Sequence, residues 1–171
     1  QRSRNDIASF YFNMKHEDQA AAGGETASTP AVSLICGLDL VLNRIQKAGL
    51  HNVFKYHATL AAATREGAQA IGLELFAKKA PSDAVTAVLV PASIPEGKKI
   101  VSHMRDEYGI TIAGGQDQYK GKIFRLAHLG YYDVLDMLTM FSAVEMTLKK
   151  LGHHCEMGKG VGAMQRYFLE H

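Results

Sequence analysis

Residues 108–130 constrain the fold more than any other part of the chain. They read YGITIAGGQDQYKGKIFRLAHLG, with two apolar runs separated by a polar stretch that contains glycine. The first run, residues 110–112, is short and β-branched and predicts a strand, which the pair Gly114-Gly115 should end. The second run, residues 122–129, predicts another strand that ends at Gly130. The segment therefore predicts two consecutive strands with a hairpin-like connection.

Arg125 is the unusual residue of the second strand, because it lies between Phe124 and Leu126 in a segment that should be at least half buried. A buried guanidinium needs an anionic partner, since an unpaired buried charge is very costly. The partner could be an intramolecular carboxylate such as Asp117 or Glu107, or the side chain could face solvent from an edge strand. The third interpretation is that the planar fork of Arg125 holds the carboxylate of a small ligand by a two-pronged contact.

Helical and strand patterns alternate through the remaining sequence. Apolar residues recur with helical spacing in four segments, residues 30–48, 52–71, 95–107 and 132–151. Three further strands are predicted at residues 9–14, 73–76 and 84–90, and a mobile polar loop at residues 17–30. This order predicts an α/β (α+β) fold with a small mixed or antiparallel sheet and helices packed on one face.

Residues 28–30, Ser-Thr-Pro, predict the start of the first long helix, with a hydroxyl N-cap and proline just inside. On local grounds Thr29 is either that helix cap or an anion-binding hydroxyl in front of the helix N-terminus. Cys36 lies among apolar residues of the same helix and is predicted to be a small core residue.

Composition excludes several classes of protein. With 171 residues, 47% of them hydrophobic and 21% charged, the chain is predicted to be one globular domain, or one small domain with pieces of another. Its net charge is +2 and its 19 basic residues are scattered, so no nucleic-acid partner is expected. No apolar run approaches the ~18 residues of a membrane span. Two distant cysteines make no disulfide framework, which favours a reducing cytoplasm.

Three other features of the sequence have residue types that can carry chemistry. His153-His154-Cys155 has metal-ligand residue types, but adjacent side chains point apart and no second cluster matches, so no metal site is expected. Residues 158–162, GKGVG, resemble a phosphate loop in composition but lack the preceding strand and the usual ending, and a flexible tail is expected there. His128 is either an acid or base or a hydrogen-bonded structural residue.

Residues 169–171 look like the start of a vector-encoded histidine tag.

In the order and spacing of its motifs, the chain resembles the C-terminal part of class V (fold type I) pyridoxal-phosphate aminotransferases. The resemblance covers about residues 4–151 and is carried by SFYFNMK, STPAVSLICGLDLVLNRIQKAGLHNVF, LAAATREGAQAIGLELF, AVTAVLVP and EYGITIAGGQDQYKGKIFRLAHLG. It extends to alanine–glyoxylate and serine–pyruvate aminotransferases and to proteins labelled soluble hydrogenase small subunit. It implies that residues 1–51 are the tail of the large cofactor domain with its connecting helix, residues 52–151 the small C-terminal domain, and residues 152–171 a tail with a vector-derived end.

The resemblance also implies roles for two residues. Arg125 matches the arginine of the family's GK-x-x-R motif, which binds the substrate α-carboxylate. Thr29 matches the threonine before the long helix, which reaches the cofactor phosphate, usually in the neighbouring subunit of a dimer. The family's Schiff-base lysine lies in a segment upstream of residue 1. This chain alone is therefore expected to hold no catalytic residue, to bind no pyridoxal phosphate covalently and to have no transaminase activity.

The reaction implied for the parent protein is amino-group transfer between alanine or serine and glyoxylate or pyruvate, by a cytoplasmic homodimer. A lyase or desulfurase reaction is less favoured, because neither Cys36 nor Cys155 resembles a sulfur-carrying cysteine on a mobile loop. The alternative from another class is a non-catalytic small-molecule-binding domain or a subunit of a redox complex. The sequence holds no cysteine cluster for an iron–sulfur centre.

Overall fold

The computed structural model describes residues 11–171, which form two units. The first unit ends at Gly49 and contains two helices, α1 (Met14–Ala22) and α2 (Val32–Ala48). The second unit begins at Leu50 and contains α3 (Leu50–Ala70), β1 (Val85–Leu89), α4 (Lys98–Tyr108), β2 (Ala113–Gly114), β3 (Ile123–Ala127), α5 (Val134–Lys150) and α6 (Lys159–Glu170). No helix in this described range is both long and apolar enough to cross a membrane.

The first unit corrects four predictions. The loop expected at residues 17–30 contains most of α1, which Asn13 caps by accepting hydrogen bonds from two backbone amides of the first turn. The strand predicted at residues 9–14 falls partly outside the described residues, and residues 11–14 form a turn and the start of α1. The N-cap of α2 is Ala31, with no side-chain cap, so the predicted cap at Thr29 is wrong. Cys36 is exposed and not a core residue, because α2 buries none of its side chains.

The second unit is built on a three-stranded antiparallel sheet in the order β1-β3-β2, which confirms the predicted sheet type. The strand predicted at residues 110–112 is misplaced: the ladder forms at Ala113–Gly114, while Ile112 instead buries its side chain in the core. The strand predicted at residues 73–76 is reduced to one bridge, between Leu75 and Val88. Three helices of this unit, α3, α4 and α5, begin and end within three residues of the ranges predicted for them, whereas α6 was not predicted.

The two faces of the sheet have different environments. Phe124 and Leu126 of β3 are fully buried in the core that the strands share with α3, α4, α5 and α6. Because neighbouring side chains of a strand point to opposite faces, Arg125 lies on the other face, where it is half buried. The sheet therefore presents a polar side chain from its central strand on the less buried face.

Residues 159–170 form a packed helix, which corrects the flexible tail expected at residues 158–162. Met164 of α6 is fully buried. The helix packs closely against α3 through two glycines, since a Cβ placed on Gly160 would lie 2.8 Å from the carbonyl oxygen of Gly67. The GKGVG motif is thus the start of a core helix, and the vector origin of the last residues stays a prediction.

Candidate carboxylate-binding site

Arg125 occupies the middle of the central strand β3. Its partners in the ladder are Ala87 on β1 and Ala113 on β2. Side chains directly opposite each other in a sheet share a face, so the guanidinium is flanked on both sides by methyl groups. Two small neighbours leave open space above the strand at this point, and a larger residue at either position would fill it.

The hydrogen bonding of Arg125 leaves its two terminal nitrogens available. Its Nε donates to the carbonyl oxygen of Gly114 at 2.9 Å, which fixes the orientation of the guanidinium plane. Within residues 11–171, Arg125 forms no ion pair, so the predicted intramolecular partners Asp117 and Glu107 are wrong. An edge-strand position is wrong as well, because β3 is the central strand.

Two cavities meet at Arg125. The larger has a volume of about 600 Å³ and is lined mainly by apolar side chains of the sheet, of residues 110–113 and of α5. The smaller has a volume of about 310 Å³ and is lined by residues 115–119 together with Ile123. Both volumes lie within or close to the range of small-molecule sites, ~300–1,000 Å³. A half-buried guanidinium between two such cavities is the usual way in which a protein orients a small anionic ligand.

The loop that lines the smaller cavity has a defined conformation. Gly115 donates its backbone N–H to the carbonyl oxygen of Ile123 at 3.0 Å, and a Cβ at Gly115 would collide with the carbonyl of Tyr119. Residues 117–119 form a 3₁₀ turn, in which Asp117 has a φ of +45°. The Tyr119 ring makes an edge-to-face contact with Phe76, at a centroid distance of 4.9 Å. Glycine is therefore required at position 115 for the loop to close beside Arg125.

His128 is a structural residue in this arrangement. It is fully buried, and its Nδ1 lies 3.0 Å from the carbonyl oxygen of Asp83, which can only accept. Nδ1 therefore carries the proton, and the Thr86 hydroxyl, 2.9 Å from Nε2, donates to the other ring nitrogen. Both ring nitrogens are used within the domain, so the geometry favours the structural interpretation over the acid–base one.

The burial of His128 makes stability depend on pH. Desolvation lowers the pKa of the imidazole below its ordinary value of 6.5, although the hydrogen bond to the Asp83 carbonyl opposes this shift. The unfolded chain then binds the proton more tightly than the folded one, so the free energy of unfolding should fall as pH drops below about 6.5. We expect His128→Asn to flatten the pH dependence of the denaturant midpoint between pH 8 and about pH 5. The exposed His154→Gln should keep the wild-type slope, and an equal slope in His128→Asn would contradict the assignment.

The sequence also indicated Thr29 and the motif at residues 153–155 as candidates, and the role predicted for Thr29 stays a prediction. Thr29 is exposed in the first unit. In the motif at residues 153–155, the His153 Nδ1 lies 2.9 Å from the Ser93 hydroxyl. No group of three or more His, Cys, Asp or Glu side chains that could hold a metal ion occurs in the described part of the chain.

Comparison with known proteins gives consistent matches. The chain is 37% identical over 164 residues to the soluble hydrogenase 42 kDa subunit of Anabaena cylindrica, covering 95% of the chain and 42% of that protein. It is 35% identical to the serine–glyoxylate aminotransferase of Methylorubrum extorquens, covering 99% and 43% respectively. The structure matches that of ureidoglycine–glyoxylate aminotransferase from Bacillus subtilis with a TM-score of 0.86 and 25% identity, covering 95% of the chain and 42% of that structure. No protein-family model matches.

The fold and the matches together define the class. The chain has the fold of the C-terminal part of the fold type I pyridoxal-phosphate aminotransferases. It is similar to the C-terminal part of class V aminotransferases, which confirms the resemblance found in the sequence. The chain spans about 42% of the length of the relatives it matches first.

Proposed function

We propose that this chain is the substrate-binding C-terminal part of an aminotransferase that moves an amino group between a small amino acid, alanine or serine, and a small 2-oxo acid, glyoxylate or pyruvate. The observation that carries the proposal is the half-buried Arg125, whose two terminal nitrogens are available between two cavities. A relative named serine–glyoxylate aminotransferase and a structure named ureidoglycine–glyoxylate aminotransferase support it, while another relative is named L-aspartate–glyoxylate aminotransferase.

Arg125 would bind the α-carboxylate of each substrate in turn. The amino acid and the 2-oxo acid both carry that group, so the same arginine can bind the substrate of each half-reaction. Because Nε is already fixed by the Gly114 carbonyl, the remaining nitrogens meet a carboxylate with little loss of rotational freedom. Partial burial excludes water and strengthens the charge-assisted hydrogen bonds.

The cofactor chemistry would come from elsewhere in the enzyme. Pyridoxal phosphate, when bound, supplies the electron sink for amino transfer. Among the described residues, no lysine lines either cavity beside Arg125, so this chain fits the substrate half of the site and not the covalent attachment of the cofactor.

Thr29 would contact the cofactor phosphate in a cytoplasmic homodimer. The division into residues 1–51, 52–151 and 152–171 is part of the same proposal. The binding-domain or redox-subunit alternative is not favoured, and the relatives named soluble hydrogenase subunits are the one point on its side.

The test uses the full-length enzyme that contains this segment, and this segment alone beside it. We expect the full-length enzyme with pyridoxal phosphate to form glycine from glyoxylate when alanine or serine is supplied, measured by amino-acid analysis. The isolated segment should form none, and borohydride reduction should fix no cofactor to it at a specific lysine. A full-length enzyme that binds the cofactor but transfers no amino group would contradict the proposal and favour a lyase.

A further inference from the structure

We propose that Asp117 determines the specificity of this site, by disfavouring substrates that carry a second carboxylate. The site would thereby be directed to amino acids and 2-oxo acids with neutral side chains. This inference rests on the proposed function, because it assumes that Arg125 holds the α-carboxylate.

Asp117 and Arg125 line the same small cavity, of about 310 Å³. The other residues around it are Gly115, Gln116, Gln118, Tyr119 and Ile123, none of which is cationic. Arg125 is therefore the one basic group described at this cavity, and a bound α-carboxylate would already occupy it. A second carboxylate entering the same space would find no further positive partner there.

The Asp117 carboxylate is itself uncompensated. Within residues 11–171 its oxygens accept no hydrogen bond and form no ion pair with another side chain. Asp117 is exposed, so solvent screens part of its negative charge, but no described side chain neutralises that charge and it faces a ligand in the cavity that it lines. A dicarboxylic substrate places two like charges close together, whereas the methyl of alanine or the hydroxyl of serine meets no such repulsion.

The backbone fixes the position of Asp117. Its φ of +45° lies in the left-handed region, which aspartate and asparagine adopt more readily than most other non-glycine residues. The turn is closed by hydrogen bonds from Tyr119 N to Gln116 O at 2.9 Å and from Lys120 N to Asp117 O at 3.1 Å. Asparagine is therefore the matched replacement, because it keeps the size and the backbone preference and removes only the charge.

The experiment measures kcat/KM of the full-length enzyme for serine and for aspartate, each with glyoxylate as acceptor. We expect Asp117→Asn to raise the aspartate-to-serine ratio about tenfold relative to wild type, because one like charge is removed close to the substrate. Asp117→Gly, which accepts the same φ, should shift the ratio in the same direction. The difference should shrink at high ionic strength, since part of the interaction is screened.

Asp106→Asn is the control for net charge, because Asp106 is exposed on α4 and paired with Arg105. It should leave the ratio at the wild-type value. An unchanged ratio in both Asp117 variants, with serine still transaminated, would overturn this inference and leave the proposed function standing. A wild-type enzyme that transaminates no amino acid would overturn both.

Discussion

Arg125→Ala in the full-length enzyme should lower kcat/KM for alanine or serine by about 100-fold to 1,000-fold. Two hydrogen bonds between a guanidinium and a carboxylate contribute about 1.5–3 kcal/mol each, and each 1.36 kcal/mol is a factor of ten in rate. The lower end of that range, about 3–4 kcal/mol for the pair, gives the stated loss. Because the carboxylate is present in the ground state and the transition state alike, most of the loss should appear as a higher KM.

The Arg125→Lys variant tests whether positive charge alone is sufficient, or whether the planar geometry of the guanidinium is needed as well. A lysine keeps the positive charge but presents a single ammonium on a flexible stem, so its kcat/KM should fall between those of wild type and the alanine variant. Arg105→Ala is the matched control, because that guanidinium is exposed and bound to Asp106 at 2.7 Å. Steady-state kinetics with both the amino acid and the 2-oxo acid check the prediction. An alanine variant with wild-type KM for both substrates would show that Arg125 does not bind the carboxylate.

The sequence was sufficient to locate Arg125 but not to describe its surroundings. Its place between Phe124 and Leu126 predicted a strand with one misfit side chain, and strand alternation is a local property. The alanines beside it could not be predicted, because they depend on which strands pair and in which register. Segment 110–112 shows the same limit, since Ile112 is held by core packing and not by the ladder, while Thr111 is exposed.

Helix α6 was missed although its signal was present. Val161, Met164 and Phe168 recur at helical spacing and pack in the core, but the composition of residues 158–162 predicts a flexible tail. Glycine is unfavourable in a helix interior, and here it is tolerated because Gly160 allows the close approach to α3. Tertiary packing overrode local propensity, and the packing partner is distant in the sequence.

Glu145→Ala should strongly destabilise this domain. Glu145 is 1% exposed, and its carboxylate accepts backbone hydrogen bonds from three residues at the start of α6. The donors are Gly158 N at 2.6 Å, Gly160 N at 2.7 Å and Val161 N at 3.2 Å. Truncation leaves buried N–H groups unsatisfied and removes an anion from a helix N-terminus, at a cost of about 3–5 kcal/mol.

That loss is comparable to the whole stability of an ordinary domain, about 5–15 kcal/mol, so the variant should unfold at much lower denaturant concentration. Hydrogen exchange of the α6 backbone amides should accelerate most, because the cap holds that helix directly. Glu145→Gln should be milder, since it keeps one acceptor oxygen but turns an NH₂ towards an N–H donor.

Glu156→Ala is the control, because this carboxylate is exposed and pairs with Lys159 on the surface at 3.7 Å, and it should change stability little. Glu145 lines neither cavity at Arg125, so any Glu145→Ala protein that is folded in the full-length enzyme should keep the wild-type KM. A wild-type unfolding curve for Glu145→Ala would mean that α6 does not depend on this cap. A raised KM with normal stability would instead place Glu145 in the binding site, contrary to its contacts.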